Sequence, residues 1–310
     1  MRILVVGAGA VGGFFGAKWA DAGRDVTFLL RESRRKAIAA TGLVIRGAGQ
    51  DLSLQPRMIT ASEIGAAYDV VLLAVPGDSL DAAMADISPA MGPGTILLST
   101  LNGVRHFDIL RERFGPDRAL PSVAKCLTQL DSHGQILALA PLAQLAFGPW
   151  DGAADERLPA IVALLNTGGV EARLSDNITF EVNEKWLMMA ALGAASCLLG
   201  GDVGTINSVP NGAFTIQQIL REAVLALQHI GRPVRQDTVA TISRMLADRT
   251  SHQTSSLYRN MAAGRPLELE PILGELIDKV EPPGAFPLLG AAYARLAIYM
   301  RALERKAAAS

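Results

Sequence analysis

An α/β fold, with an N-terminal parallel-sheet domain and a C-terminal all-helical domain, is what the sequence predicts. Three observations carry that expectation. Short apolar or β-branched runs alternate with amphipathic helical stretches through the first half, the pattern of a parallel sheet covered on both faces. A glycine-rich segment, Gly7-Ala8-Gly9-Ala10-Val11-Gly12, follows the first run directly. After about residue 175 the periods become long and helical.

The elements follow in order. Strand-length runs lie at residues 3–6, 25–29, 70–75 and 95–99, with helical patterns at 10–22 and 80–87. Further short strand candidates occupy 42–54, 134–139 and 144–147. Ser175-Asp176-Asn177 marks the change of character, and Asp176 is placed to cap the helix that follows. The boundary therefore separates a domain of residues 1–175 from one of residues 176–310. Helical patterns then cover 178–199, 214–230, 235–249, 270–280 and 287–306. Pro282-Pro283-Gly284 separates the last two, and the alanine-rich end, 306–310, is expected to fray.

Composition excludes several classes of function. Half of the 310 residues are hydrophobic and 19% are charged, so a large core can be filled and disorder is not expected. A formal net charge of -1 offers no basic field for nucleic acid or an anionic membrane. Cys126 and Cys197 stand alone, which suits buried thiols in a reducing cytoplasm. His106, His133, His229 and His252 are scattered, so no metal site is expected. The N-terminal apolar run is too short for a signal peptide, and 188–201 is too short to span a bilayer. The apolar helices of the second half could bury surface in a homodimer or simply form an internal core.

The chemistry begins at Gly7, Ala8, Gly9, Ala10, Val11 and Gly12. Between a strand and a helix, GxGxxG is the Rossmann-type fingerprint for a dinucleotide. The first glycine makes the tight turn, the second admits the pyrophosphate, and the third lets helix pack on strand. The helix N-terminus adds amide donors and a positive dipole. The second strand selects the nucleotide. A carboxylate at its end would bind the ribose hydroxyls of NAD and repel a 2′-phosphate. Here the strand ends in Arg31, followed by Glu32, Ser33, Arg34 and Arg35. A guanidinium can bind the phosphate bidentately, so NADPH/NADP+ is the expected cofactor.

Several pieces of this sequence resemble the ketopantoate reductases, the 2-dehydropantoate 2-reductases of pantothenate synthesis. They are the N-terminal GAGAVGG, Leu101-Asn102-Gly103-Val104, Phe147-Gly148, the stretch from Asp176 to Lys185, Ser255-Ser256-Leu257, and Gly264-Arg265-Pro266-Leu267-Glu268. Their order and spacing along nearly the whole chain make the resemblance specific. It implies reduction of a small 2-oxo acid to the 2-hydroxy acid. It implies Lys185 as the acid that stabilises and protonates the developing alkoxide. It further implies Glu268 as acceptor for a substrate hydroxyl, Ser255 as partner of the substrate carboxylate, and Asn102 as a bridge between substrate and cofactor ribose. On the residues alone, Lys185 could equally be a surface partner of Glu181 at i,i+4 spacing.

The chain departs from that family's usual pattern in places. Val75-Pro76-Gly77 stands where Val-Lys-Ala is common, Asn183 where tryptophan is common, and Met189 and Gly193 where two asparagines are common. Those changes remove polar groups around the expected substrate position. Two alternatives stay open at this point: an NADP-dependent oxidoreductase for another 2-oxo acid or an imine, and a non-catalytic NADPH-binding sensor. Retention of Lys185 with Glu268 counts against the sensor, since neither residue is needed to bind the nucleotide.

Overall fold

The computed structural model describes residues 1–49, 51–280, 282 and 284–308. Pro283 of the expected breaker and the last two residues of the alanine-rich end lie outside the described residues. The chain divides into two compact units. One comprises Met1–Leu101 and His106–Thr179; the other comprises Asn102–Arg105 and the residues from Phe180 onward.

The first unit contains β1 (Arg2–Val6), α1 (Ala10–Asp21), β2 (Asp25–Leu29), α2 (Glu32–Thr41), β3 (Leu43–Arg46), β4 (Leu52–Leu54), β5 (Arg57–Ile59), β6 (Val70–Leu73), α3 (Leu80–Ile87) and β7 (Ile96–Ser99). After α4 (Arg105–Phe114) come β8 (Ala119–Leu120), β9 (Ser122–Leu130), β10 (Ile136–Phe147), α5 (Leu158–Leu165) and β11 (Glu171–Leu174). A six-stranded sheet runs in the order β5-β2-β1-β6-β7-β8, and every pairing in it is parallel. Numbering only its own strands along the chain, the order is 3-2-1-4-5-6, the doubly wound arrangement. The order reverses between β1 and β6, which is where such sheets bind ligands beyond the carboxyl ends of their strands.

Alternate residues of β1 show how both faces are buried. Ile3 and Val5 join one apolar cluster with Phe14, Phe15 and Trp19 of α1. Leu4 and Val6 join another with Leu80, Ile87, Leu110 and Phe114 of α3 and α4. A second, mixed sheet, β11-β10-β3-β4 with β9 paired to β10, covers the outer side of α1. The glycines of α1 permit that sandwich. A Cβ on Gly13 would lie 2.6 Å from Ile136, and one on Gly16 would lie 2.5 Å from the Phe28 ring. Glycine costs helix stability relative to alanine; here it is offset by close packing on two sides.

The sequence pattern finds β1, β2, β6 and β7 of the six-stranded sheet, together with α1 and α3. It misses α2, α4, α5, β5, β8, β9 and β11, and in the helical half the short helices Val203–Ser208 and Ser256–Ala262. In α2 only Ile38 is buried, so no apolar period announces a helix, and its arginines read as a charged turn. Strand β9 buries its first three residues and leaves the rest partly open, because only one end is covered.

The second unit is helical among the described residues: α6 (Ile178–Leu199), α7 (Val203–Ser208), α8 (Gly212–His229), α9 (Gln236–Leu246), α10 (Ser256–Ala262), α11 (Glu275–Ile277) and α12 (Pro287–Ala308). The stretch expected as one helix over 270–280 is instead a π turn, Glu270–Gly274, running into α11. Pro271 sits in its first turn, where a missing amide hydrogen is tolerated.

Candidate active site

The glycine loop connects β1 to α1 at the reversal of strand order. Gly7 has φ +94°, a conformation that side chains resist, and a Cβ there would also lie 2.7 Å from the Ala74 carbonyl oxygen beyond β6. A Cβ on Gly12 would overlap the Gly7 carbonyl oxygen and the Ala74 side chain, so this glycine sets how closely α1 approaches the sheet. Gly9 differs: nothing lies within 4 Å of the place its Cβ would take. It is the N-cap of α1, and no side chain caps that end. Open space above a glycine, beside first-turn amides that no side chain satisfies, suits a pyrophosphate.

The arginines after β2 have distinct roles. Arg34 is half-buried and donates through Nε and a terminal nitrogen to the Ala8 carbonyl at 3.1 and 2.8 Å, and to the Gly134 carbonyl at 3.0 Å. It holds the glycine loop in place, and burial lowers its pKa. Arg35 is paired with Glu32 at 2.9 Å and Glu63 at 3.1 Å. Arg31 is the N-cap residue of α2 and is exposed; among the described residues its side chain donates to the Ser79 hydroxyl, at 3.1 Å. Of the three, Arg31 is the one whose guanidinium is presented to solvent. Glu32, the acid in this stretch, is engaged by Arg35. Arg34's part was not legible in the sequence; a carbonyl is its partner, and carbonyls carry no sequence signal.

In the second unit Lys185 stands about two turns into α6 and is half-buried. Its neighbours fix the rotation of the helix. Asn183, 1% exposed, donates to the Pro233 carbonyl at 3.0 Å. Glu184 receives Arg235 bidentately at 2.7 and 2.6 Å. Burial pushes the Glu184 carboxyl up, but hydrogen bonds from Arg235 and Thr238 outweigh that and hold it below the usual carboxylate range. Trp186, 1% exposed, donates to the Ile272 carbonyl at 2.9 Å. With residues on either side anchored, Lys185 cannot change face by rotation of α6. Along the helix from it, Met189 is half-buried, and a Cβ on Gly193 would lie 3.1 Å from Leu257. That stretch of the helix is apolar.

Asn102 and Glu268, far apart in sequence, are in direct contact: the Asn102 amide donates to a Glu268 carboxylate oxygen at 2.8 Å. Asn102–Arg105 groups with the second unit for this reason and two others. Gly103 abuts Pro271, and Arg105 is bonded to Glu275. Ser255 is the N-cap of α10, accepting the Tyr258 amide at 3.0 Å, and is 7% exposed. It also lies against Cys197, whose thiol burial pushes up to about 11. Ser255 therefore has a structural task, and any carboxylate it binds must share its hydroxyl. Among the described residues, no group of three or more His, Cys, Asp or Glu is placed to hold a metal ion, and no helix is long and apolar enough to cross a membrane.

Known proteins share the sequence pattern and the fold. The sequence profile named Ketopantoate reductase PanE/ApbA matches residues 3–152, and its C-terminal companion matches residues 177–281. The chain is 31% identical to the "Uncharacterized oxidoreductase YkpB" of Bacillus subtilis strain 168, over 96% of this chain and 99% of that protein. It is 27% identical to the 2-dehydropantoate 2-reductase of Mesorhizobium japonicum, over 91% of this chain and 94% of that protein. Its fold is similar to that of a D-mandelate dehydrogenase solved with NADH and anilino(oxo)acetate, with a TM-score of 0.83, 19% identity, and coverage of 98% and 99%.

Proposed function

We propose, from the premise that this chain belongs to the ketopantoate reductase family, that it reduces a small 2-oxo acid to the 2-hydroxy acid with NADPH, 2-dehydropantoate being the leading substrate. The observation that supports this most is the direct Asn102–Glu268 hydrogen bond in the same unit as Lys185. Two polar residues from distant parts of the chain are joined on exposed or half-exposed ground. Fold stability alone gives little reason to build such a pair at the surface.

When bound, NADPH supplies the hydride. Gly7, Ala8, Gly9, Ala10, Val11 and Gly12 would hold its pyrophosphate, and Arg31 its 2′-phosphate. The remaining steps belong to side chains. The Lys185 ammonium stabilises negative charge developing on the former carbonyl oxygen. An N–H bond of Nζ then breaks as the O–H bond of the alcohol forms, leaving a neutral amine that solvent reprotonates. Glu268 accepts a hydrogen bond from a substrate hydroxyl, and Asn102, by donating to Glu268, orients that carboxylate. The Asn102 carbonyl oxygen would remain for the ribose. Ser255 would donate to the substrate carboxylate.

A second reading is favoured by one feature. The side of α6 beyond Lys185 runs through half-buried Met189 to buried Gly193, which packs on Leu257, and at neither position offers a polar side chain for a hydrophilic substrate. A 2-oxo acid with an apolar or aromatic side chain would suit it. Anilino(oxo)acetate, which carries an aromatic ring, is the compound bound beside NADH in the D-mandelate dehydrogenase of similar fold. One experiment separates the two readings: oxidation of NADPH by the purified chain with 2-dehydropantoate, 2-oxoisovalerate and phenylglyoxylate. Highest kcat/KM for 2-dehydropantoate supports the first reading, and for phenylglyoxylate the second. No turnover of any 2-oxo acid would rule out both.

A further inference from the structure

Glu268, Pro271 and Glu275, just before, within and just after the π turn Glu270–Gly274, all touch the Asn102–Arg105 segment and so share one face of this stretch. Leu269, Ile272 and Leu273 between them and Leu276 just beyond are buried and tie that face's orientation to the core. The face meets a single short segment. Glu268 receives the Asn102 amide at 2.8 Å. Pro271 lies against Gly103, whose φ is +79° and whose Cβ would come to 2.5 Å from the Pro271 carbonyl oxygen. Glu275 accepts the Arg105 backbone amide at 3.4 Å and also receives the Val104 amide.

From these contacts we infer that Glu275 is a positioning residue for Asn102: its carboxylate ties down the Val104 and Arg105 amides and so fixes where the Asn102 side chain meets Glu268. The three contacts differ in what they can do. Pro271 limits approach but supplies no attraction beyond packing. The Asn102–Glu268 bond is the one that substrate must share. Of the three, only Glu275 holds the segment through groups that take no part in binding. Val104 and Arg105 open α4, so their amides belong to the set that a helix cannot satisfy internally. A carboxylate is the strongest acceptor for such donors and is further favoured by the helix dipole. Burial raises the Glu275 pKa, while the two amides, Lys279 and Arg105 pull it down. A carboxylate is thus kept in partial burial where an apolar side chain would pack more cheaply, which argues for a task.

This inference rests on the proposed reaction only for its kinetic part, so the test has an independent arm. In the full-length chain, hydrogen exchange of the Val104 and Arg105 amides should accelerate about tenfold in Glu275→Ala, the effect of losing one charge-assisted acceptor. Glu275→Gln, which keeps an acceptor oxygen, should restore most of the protection. If Glu275→Ala does not fold, Glu275→Met fills similar volume without an acceptor and takes its place. Unchanged exchange in the variant lacking the acceptor overturns the inference, whatever the substrate.

The kinetic arm uses 2-dehydropantoate and NADPH. Glu275→Ala should raise KM about tenfold with kcat within about threefold of wild type, because binding geometry is disturbed and the proton donor is not. In an Asn102→Ala background the same change should add little, since its effect passes through Asn102. Fully additive losses would show that Glu275 acts elsewhere, and would also overturn the inference. A wild-type chain that does not reduce 2-dehydropantoate refutes that substrate alone, and the exchange result then decides the role of Glu275.

Discussion

At the scale of the residue, Lys185 and Arg31 carry the sharpest expectations. Lys185→Ala should reduce kcat about 10²–10⁴-fold, the usual worth of a positioned proton donor. The NADPH Kd should stay within about twofold, because the glycine loop and Arg31 lie in the other unit. Lys185→Arg should rescue poorly, since a guanidinium hardly releases its proton. Glu181→Ala is the control: equally mild effects at both positions would mean that Lys185 is only part of the helix surface. For Arg31, the exposed guanidinium and its hydroxyl partner predict at least about tenfold tighter binding of NADPH than of NADH. Arg31→Ala should close that gap, as titration with both nucleotides would show; equal affinities in the wild type would remove the argument for NADPH. Arg34→Ala should weaken both nucleotides alike, because Arg34 supports the loop backbone rather than a phosphate.

At the scale of the element, the turn from β1 into α1 allows nucleotide binding to be separated from folding. Gly9 has extended backbone, and nothing lies within 4 Å of where a methyl group would sit, so Gly9→Ala should fold normally. The added carbon would occupy the space a pyrophosphate needs, and NADPH affinity should fall at least about tenfold. Gly12→Ala places the same carbon against the Gly7 carbonyl and the Ala74 side chain. It should lower stability by roughly 1–3 kcal/mol, the range for overpacking, with loss of binding as a consequence. Thermal denaturation beside nucleotide titration distinguishes the two. Unaltered NADPH affinity in Gly9→Ala would make the loop an ordinary tight turn.

At the scale of the whole chain, acid sensitivity follows from carboxylates that the fold holds below their ordinary values. Asp155 is held there first by its hydrogen bond from Arg157, and Glu184, against the opposing effect of burial, by Arg235 and Thr238. Their folded pKa values lie below the unfolded ones, so the stability they contribute is complete above about pH 4.5 and is lost as pH falls through the folded values. Glu275 has the opposite sign, since its pKa is raised, and protonating it relieves a cost on the way down. Melting temperature should therefore be level between about pH 6 and 8 and fall below about pH 4. Glu184→Gln should lower the plateau and flatten part of the acid decline. A decline as steep as wild type would show that Glu184 is not among its causes.

How much of this was legible in the chain differs by residue. Gly7 and Gly12 could be read directly, because the constraint on each is local: a turn and a packing distance. The strands of the parallel sheet could be read because burial on both faces leaves continuous apolar runs such as Val70–Leu73. Lys185 and Glu268 came from resemblance, since a helix surface that bears one lysine looks the same whether it faces solvent or substrate. The sequence by itself thus determined the layered α/β architecture, the helical second half and the turn that opens α1. Only the tertiary structure decided which of three neighbouring arginines is left exposed, and that Asn102, Glu268 and Glu275 meet around one short segment. Those outcomes depend on carbonyls, amides and partners 26 to 170 residues away, and no local pattern of side chains records them.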